Sequence, residues 1–340
     1  MLSSGDVCAI GLPVLRYFQK THPDAEIHFL TFGDGAKLIK LAEPSVQVKS
    51  MTKQQWPDDF FLAMESFLGI AENIICETYS QIINLDTAFM PSFLARFLMD
   101  AGEPISGNYL NISVEQLLQQ VKDKTLQSEY VNTTQSFMAS SFVNMNKWHS
   151  RWWQYDSTCE GGYPEFYLSK CCGLVDDKLQ HIITLIPDKR LVKKGKTNKV
   201  IGLCLDQSND GYLYPYTERL KKLLEQKGFV VWSAQDTKGN IRSLLKMLSA
   251  TDLMVCKPSV YRWYAQAVDC ATLMISGSSE PALLMPEFAT DPVSPCMQHS
   301  TNEKNIDVVV CNCEKSEDLV ESIESVFVHL NDQLNDQPNE

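Results

Sequence analysis

Apolar residues follow two different periods along this chain, and the two periods alternate. Four segments of the first half carry apolar residues at helical spacing: residues 7–20, 36–41, 56–70 and 90–100. Three short apolar runs separate them and predict strands: residues 26–31, 46–50 and 82–86. Strands that alternate with helices pair in parallel through right-handed crossovers. The first half is therefore predicted to be an α/β unit.

The same alternation returns in the second half. Short apolar runs predict strands there: residues 200–205, 229–232, 253–256 and 272–276. Helical spacing occupies the segments between and after them: residues 216–226, 241–248, 261–268 and 316–330. The order of elements repeats that of the first half, which predicts a second α/β unit.

The alternation stops between residues 109 and 153, where Gln, Asn, Ser, Met and Trp are frequent. Aromatic and methionine side chains cluster in the later part of this segment: Phe137, Met138, Phe142, Met145, Trp148, Trp152 and Trp153. One interpretation is packing within a core or between domains. The other is a binding wall for an acceptor, because aromatic faces suit sugar rings.

Length and charge limit the classes of partner. The 340 residues are enough for two domains, and the formal net charge is −12. This acidic balance argues against a nucleic-acid partner and allows at most a peripheral membrane contact. The basic run at residues 189–196 is predicted to be a solvated linker, and residues 193–199 are predicted to be the polar, flexible segment between the domains.

Cysteine usage predicts a reducing compartment. The eleven cysteines include no Cys-x-x-Cys pair, and the six histidines are scattered, so a zinc site is not expected. Most of the cysteines lie in apolar runs, as small core residues do in the cytosol. With no signal peptide and no run of 18 apolar residues, we expect a cytoplasmic protein.

The opening residues carry the strongest candidate chemistry. Asp6 follows Ser3, Ser4 and Gly5 and comes directly before the first helical segment. A carboxylate at a helix N-terminus lies near unpaired N–H groups and the positive end of the dipole, which favours its ionised form. The alternative explanation of this local pattern is an ordinary helix cap. Asp34 and Asp86, in predicted turns after strands, are weaker candidates.

Three stretches together resemble a known family. Residues 3–7, 12–15 and 22–30 are similar to the opening of the heptosyltransferases of glycosyltransferase family 9, a bacterial lipopolysaccharide-biosynthesis family. The resemblance implies the GT-B architecture, in which two Rossmann-like domains face a cleft. It assigns residues 1–180 to an acceptor-binding domain and residues 181–330 to a domain that binds a nucleotide sugar. Residues 331–340 are predicted to form a polar tail.

The same resemblance implies roles for the opening residues. Asp6 takes the position of the general base, which would accept the proton of an acceptor hydroxyl. Ser3, Ser4 and Gly5 would orient the acceptor or the donor.

One departure concerns the first strand. Family members have a buried strand ahead of this motif, whereas only Met1 and Leu2 precede Ser3 here. Two residues are too few for a strand. We therefore expect that the first strand is missing and that this sequence is a shortened form.

The second half departs further from the family pattern. Tyr212 stands where the family has a lysine, and only Ser259 remains of the usual donor-binding turn. Lys257 and Arg262 could supply the cation for a diphosphate, and Trp263 could stack on a base or sugar. The predicted donor-binding residues are Ser208, Tyr212, Lys257, Ser259, Arg262 and Trp263.

The resemblance implies an inverting, metal-independent glycosyltransferase without a resident cofactor. The implied donor is a nucleotide sugar such as ADP-heptose, and the implied acceptor is a lipopolysaccharide core or another free or lipid-linked glycan. The enzyme would act in the cytoplasm or at the inner face of the inner membrane. The alternative is a catalytically degraded relative that serves as a binding or scaffold protein. An epimerase of the same fold is disfavoured, because no acid–histidine pattern is present.

Overall fold

The computed structural model describes residues 3–51, 60–149, 159, 162–175, 178–205, 214–257, 259–275 and 316–335. The chain divides into two compact units. The first comprises Met1–Cys159 and Pro164–Gln180, and the second comprises Glu160–Tyr163 and His181–Glu340. The predicted assignment of acceptor and donor binding to separate domains stays a prediction.

Helices and strands alternate through the first unit. Its strands are β1 (His28–Phe32), β2 (Gln47–Met51), β3 (Ile82–Asn84), β4 (Ile105–Leu110) and β5 (Met138–Ser140). Its helices are α1 (Ser4–Asp6), α2 (Leu12–Thr21), α3 (Gly35–Ala42), α4 (Phe60–Cys76), α5 (Phe89–Asp100), α6 (Val114–Lys122), α7 (Ser128–Asn132) and α8 (Thr134–Phe137). A short helix, α9 (Gly162–Glu165), contains residues of both units.

In the described part of the first unit, the strands form two sheets. β1 pairs in parallel with β2, with His28 opposite Gln47. β3 pairs in parallel with β4, with Ile82 opposite Ile105, and β5 adds antiparallel to β4. The parallel pairs confirm the α/β prediction. β4 and β5 were not predicted from the sequence, because β4 carries Ser, Gly and Asn in place of an apolar run.

An apolar cluster lies around α5. Phe93, Leu94 and Leu98 on this helix are buried with Phe67 of α4 and Leu110 of β4. Burial of such side chains stabilises the fold by about 1.5–3 kcal/mol each.

The aromatic segment contributes to the same cluster. The ring of Phe137 lies 5.1 Å from that of Phe89, edge to face, so for Phe137 the packing interpretation is confirmed. Trp152 and Trp153 lie outside the described residues.

The described residues of the second unit form a parallel four-stranded sheet with the order β7-β6-β8-β9. Its strands are β6 (Val200–Cys204), β7 (Val230–Ser233), β8 (Leu253–Cys256) and β9 (Thr272–Met274). Its helices are α10 (Lys189–Gly195), α11 (Thr217–Gln226), α12 (Ile241–Leu248), α13 (Tyr261–Gln266) and α14 (Ser316–Asn335). Every residue of β6 and β8 is buried, which explains why both strands are continuous apolar runs. The strands and helices predicted for this half are confirmed.

The basic run is a correction to the sequence prediction. Residues 189–195 form α10 and are not a flexible segment. The Asp188 carboxylate caps this helix by accepting the backbone N–H groups of Arg190 and Leu191, at 2.9 and 3.1 Å. Lys193 and Lys194 lie in its last turn, where cations interact favourably with the helix dipole.

No helix in the described ranges combines the length and apolar character needed to cross a bilayer.

Gly107 is predicted to be essential to the β3–β4 pair. Gly107 and Gly102 share a φ of +91°, but a Cβ at Gly107 would overlap the backbone of Asn84, whereas at Gly102 it meets open space. Gly102→Ala should lower the free energy of unfolding by about 1 kcal/mol through backbone strain alone. Gly107→Ala should lower it by a further ~1–3 kcal/mol through overpacking, as measured by urea unfolding. Equal losses in the two variants would contradict this assignment.

Candidate functional site

Asp6 lies in the first turn of a helix that begins earlier than its apolar pattern predicts. The helical residues start at Ser4, and Ser3 is the N-cap in extended conformation. The chain continues through a π-helical turn, Val7–Gly11, into α2. Pro13 lacks the N–H that would bond four residues back, which accounts for the widened turn just ahead of it.

Ser3 holds Asp6 by two hydrogen bonds. The Ser3 hydroxyl donates to Oδ2 of Asp6 at 2.6 Å and accepts the backbone N–H of Asp6 at 3.2 Å. Gly5 is buried and Ser4 is half-buried in the same turn. The structure therefore brings the four predicted residues 3–6 into one helix start, with Ser3 as the cap and Asp6 inside the helix.

The electrostatics of Asp6 correct the sequence expectation. Burial raises the pKa of the Asp6 carboxyl above its ordinary value of 3.8, and the negative charge of Asp86 adds to that rise. The hydrogen bonds from Ser3 lower the pKa, but by less than burial raises it. The helix N-terminus does not dominate, because desolvation disfavours the charged form more strongly. Asp6 is consequently a stronger base than a solvated aspartate.

Asp86 is held rigidly after β3. Its Oδ1 accepts the backbone N–H of Ala88 at 2.9 Å, and its own N–H donates to Oδ1 of Asn84 at 3.1 Å. The Asn84 amide donates in turn to the carbonyl of Asn108, on the neighbouring strand, at 2.8 Å. These bonds fix the carboxylate that acts on Asp6, so the sequence ranking of Asp86 as a weak candidate understated its influence.

Two buried residues that sequence reasoning missed support this loop. The Asn108 amide donates to the Asp86 carbonyl at 3.2 Å and to the Tyr167 hydroxyl at 3.1 Å. The Tyr167 hydroxyl donates to the carbonyl of Leu85 at 2.6 Å. An asparagine inside a strand was the available signal for Asn108. Tyr167 is distant in sequence from every predicted element and carried no signal.

In the second unit, two predicted cations lie at the carboxyl end of β8. Lys257 follows this strand, and Arg262 is in the first turn of α13; their side chains are 0% and 1% exposed. The guanidinium carbon of Arg262 lies 3.1 Å from the centre of the Trp263 ring. Ser259 donates its hydroxyl to the carbonyl of Lys257 at 3.0 Å. The carboxyl ends of parallel strands are where α/β sheets bind ligands.

The positive charge of Arg262 lowers the pKa of a buried thiol of β8, that of Cys256. Burial raises the pKa of Cys256 to about 12, against the opposing effect of Arg262. The structure thus brings four of the six predicted donor-binding residues together. The other two, Ser208 and Tyr212, lie outside the described residues.

Asp6→Asn is predicted to change the pH dependence of stability. Because the pKa of Asp6 is raised on folding, its ionisation destabilises the folded protein, fully so above the raised pKa and not at all well below 3.8. The stability gained by Asp6→Asn should therefore grow as the pH rises from about 3.8 and then level off. Each unit of pKa rise contributes about 1.4 kcal/mol. Thermal melts of both proteins between pH 3.5 and 8 measure this gain; a gain that falls with rising pH would contradict it.

No protein-family model matches this sequence, and no curated protein matches it in sequence. Solved structures do match in fold. E. coli ADP-heptose lipopolysaccharide heptosyltransferase II superposes with a TM-score of 0.59 at 12% identity, over 96% of this chain and 97% of that one. The glycosyl transferase family 9 structure from Veillonella parvula gives 0.58 at 13% identity, over 96% and 95%.

A third match is the E. coli heptosyltransferase WaaC with ADP, at a TM-score of 0.56 and 11% identity, over 96% of this chain and 97% of that one. All three similarities extend through both units. The chain therefore has the fold of the family 9 heptosyltransferases.

Proposed function

We propose that this protein is an inverting glycosyltransferase of the family 9 type, with Asp6 as its general base. The observation that carries the proposal is Asp6 itself, a half-buried carboxylate with a raised pKa, oriented by Ser3 at 2.6 Å. The fold shared with heptosyltransferases supports the same reaction class. Membership of the family rests on the opening motif and on this fold.

The proposed step is a single displacement. The acceptor hydroxyl gives its proton to the Asp6 carboxylate as its oxygen attacks the anomeric carbon of the donor. The bond between that carbon and the diphosphate oxygen breaks on the opposite face, so the configuration inverts. A base with a raised pKa suits this role, because proton transfer improves as the pKa approaches the working pH. Ser3, Ser4 and Gly5 orient the reacting groups.

We propose ADP-heptose as the donor. The heptosyltransferase WaaC has been solved with ADP and with ADP-2-deoxy-2-fluoro heptose, and the other E. coli relative is named as an ADP-heptose enzyme. Lys257 and Arg262 would neutralise the charge that develops on the leaving diphosphate. Ser208, Tyr212 and Ser259 would add hydrogen bonds, and Trp263 would stack on the base or sugar.

We propose that the acceptor is a hydroxyl of a lipopolysaccharide core or a related glycan. The protein would bind this acceptor in the cytoplasm or at the inner face of the inner membrane. Protein cations, in place of a metal ion, would stabilise the leaving group in this mechanism, and no resident cofactor takes part in it.

Asp6→Asn should lower turnover with ADP-heptose by about 10²–10⁴-fold, because the amide cannot accept the proton. ADP binding should stay within twofold of the parent, because the variant keeps the shape of the side chain. Radiolabelled sugar transfer measures the first quantity and calorimetry the second. Asp24→Asn, which changes an exposed loop carboxylate, is the matched control and should retain full turnover. Full turnover in Asp6→Asn would remove the base assignment.

Lys257→Met should weaken ADP binding by about 10–100-fold, the usual contribution of a hydrogen bond to a charged group. Methionine nearly preserves the volume of the side chain, so the melting temperature reports whether the fold is intact. Lys227→Met is the control, since Lys227 is exposed and pairs with Glu324. Calorimetry with ADP gives both affinities, and equal affinities in the two variants would count against a phosphate-binding Lys257.

The scaffold alternative makes the opposite predictions. It expects no stabilisation by any nucleotide or nucleotide sugar in a thermal-shift screen, whereas a ligand at 100 times its dissociation constant should add about 2.7 kcal/mol. If the protein melts cooperatively and no compound in the screen raises its melting temperature, the result would favour the scaffold alternative.

A further inference from the structure

The densest group of cations in this acidic chain lies on an ordered element of the second unit. Residues 189–196 include five cations and no acid, whereas the whole chain has a formal net charge of −12. Residues 189–195 form α10. All five cations are exposed, and we call them the basic patch: Lys189, Arg190, Lys193, Lys194 and Lys196.

The helix that carries the basic patch is anchored to the sheet. Leu191 is buried, and α10 packs against β6 and β7. The backbone N–H of Asp188 donates to the carbonyl of Lys246 at 2.9 Å, which ties the start of α10 to α12. At 3.6 residues per turn, Lys189 and Lys193 lie on the face of α10 opposite Leu191. The patch is therefore presented outward on a fixed element.

Two exposed aliphatic side chains adjoin the basic patch. Ile186, three residues ahead of α10, is 71% exposed, and Val192 on α10 is 45% exposed. One exposed apolar residue alone needs no explanation. Aliphatic side chains beside a group of lysines are, however, the combination found on surfaces that insert shallowly into the bilayer interface.

The acid nearest in sequence leaves the patch positive. Arg190 pairs with Asp188 at 3.5 Å, yet the Arg190 side chain remains 83% exposed. The Asp188 carboxylate also accepts the backbone N–H groups of Arg190 and Leu191, so it serves the helix cap. One acid beside five cations leaves a net positive charge on this surface.

We propose that the basic patch, together with Ile186 and Val192, docks this protein onto an anionic lipid bilayer. The cations would lie among the headgroups, and the two aliphatic side chains would reach the boundary of the acyl chains. The same bilayer repels the acidic remainder of the chain, so binding would use this face alone. The inference is independent of the proposed function, because docking needs neither a donor nor the Asp6 carboxylate.

The chemistry of the patch favours lipid over nucleic acid. Proteins that bind single-stranded nucleic acid stack the bases on aromatic side chains, and residues 186–196 include no aromatic residue. Isoleucine and valine instead gain free energy by leaving water for an apolar phase. Lipid docking therefore uses both components of the surface, whereas nucleic-acid binding would use the cations alone.

The test measures co-sedimentation of the full chain with vesicles. Vesicles of phosphatidylcholine with about 30 mol% phosphatidylglycerol should bind at least about tenfold more tightly than phosphatidylcholine alone, and added salt should weaken the binding. Lys189→Gln combined with Lys193→Gln should weaken it by about 20–30-fold, which is about fivefold per lysine. The matched control combines Lys124→Gln and Lys222→Gln, two exposed lysines outside the patch, and should bind within twofold of the parent.

A second pair of substitutions tests the apolar component. Ile186→Ser combined with Val192→Ser should weaken vesicle binding by about tenfold while the salt dependence is unchanged. Melting temperatures equal to that of the parent show that each variant is folded. Equal binding to neutral and anionic vesicles, or equal losses in the patch and control variants, would overturn the proposal. Tighter binding to single-stranded oligothymidylate than to anionic vesicles would assign the patch to nucleic acid instead.

Discussion

The hydrogen bond from Ser3 to Asp6 joins the folding of the first unit to its chemistry. The Ser3 hydroxyl satisfies the Asp6 backbone N–H and also bonds to its carboxylate, so one side chain caps the helix and orients the acid. The bond lowers the pKa of Asp6, whereas burial raises it more strongly, because burial disfavours the charged carboxylate. The acid is thus held in a fixed orientation while its affinity for a proton is increased. An acid in an exposed helix cap would have the fixed orientation without the increased affinity for a proton.

The neighbourhood of Asp6 depends on residues that do not touch it. Asp86 influences Asp6 only because its loop is fixed, and the bonds from Asn108 and Tyr167 to backbone carbonyls fix that loop. Gly107 lets β4 approach β3 closely enough for Asn84 and Asn108 to bond. Sheet pairing, turn geometry and the charge beside the acid are therefore one connected arrangement. A Cβ at position 107 would push β4 away from β3 and would disturb the loop that holds Asp86.

The sequence predicted those elements whose energetics are dominated by apolar burial. β6, β8, α5 and α12 combine regular apolar spacing with full burial of one face or both, and all four were identified. β4 was missed because it is stabilised by hydrogen bonds and by a glycine, neither of which produces an apolar pattern.

The sequence singled out Asp6 and the cations after β8 as candidates, and these roles stay predictions, but it gave the wrong sign for the pKa shift of Asp6. A helix N-terminus can be read from neighbouring residues, whereas burial is produced by distant ones. The same limit explains why Tyr167, far along the chain from Leu85, could not be foreseen. The helix at residues 189–195 was missed for a local reason, because its lysines suggested a solvated segment while Asp188 supplied a cap.

The strands beside the candidate residues are buried to different extents in the two units. β6 and β8 are fully buried, whereas β1 and β3 are mostly half-buried. In the second unit, β6 separates β7 from β8 and buries all of its residues, so Lys257 follows a strand that is supported on both sides. In the first unit, the helix start that carries Asp6 packs against α3, which follows β1, and a cavity of about 330 Å³ is lined by apolar residues of β1 and β3. Ser3 both caps this helix start and orients Asp6, so the packing of the helix and the orientation of the candidate base depend on the same residue.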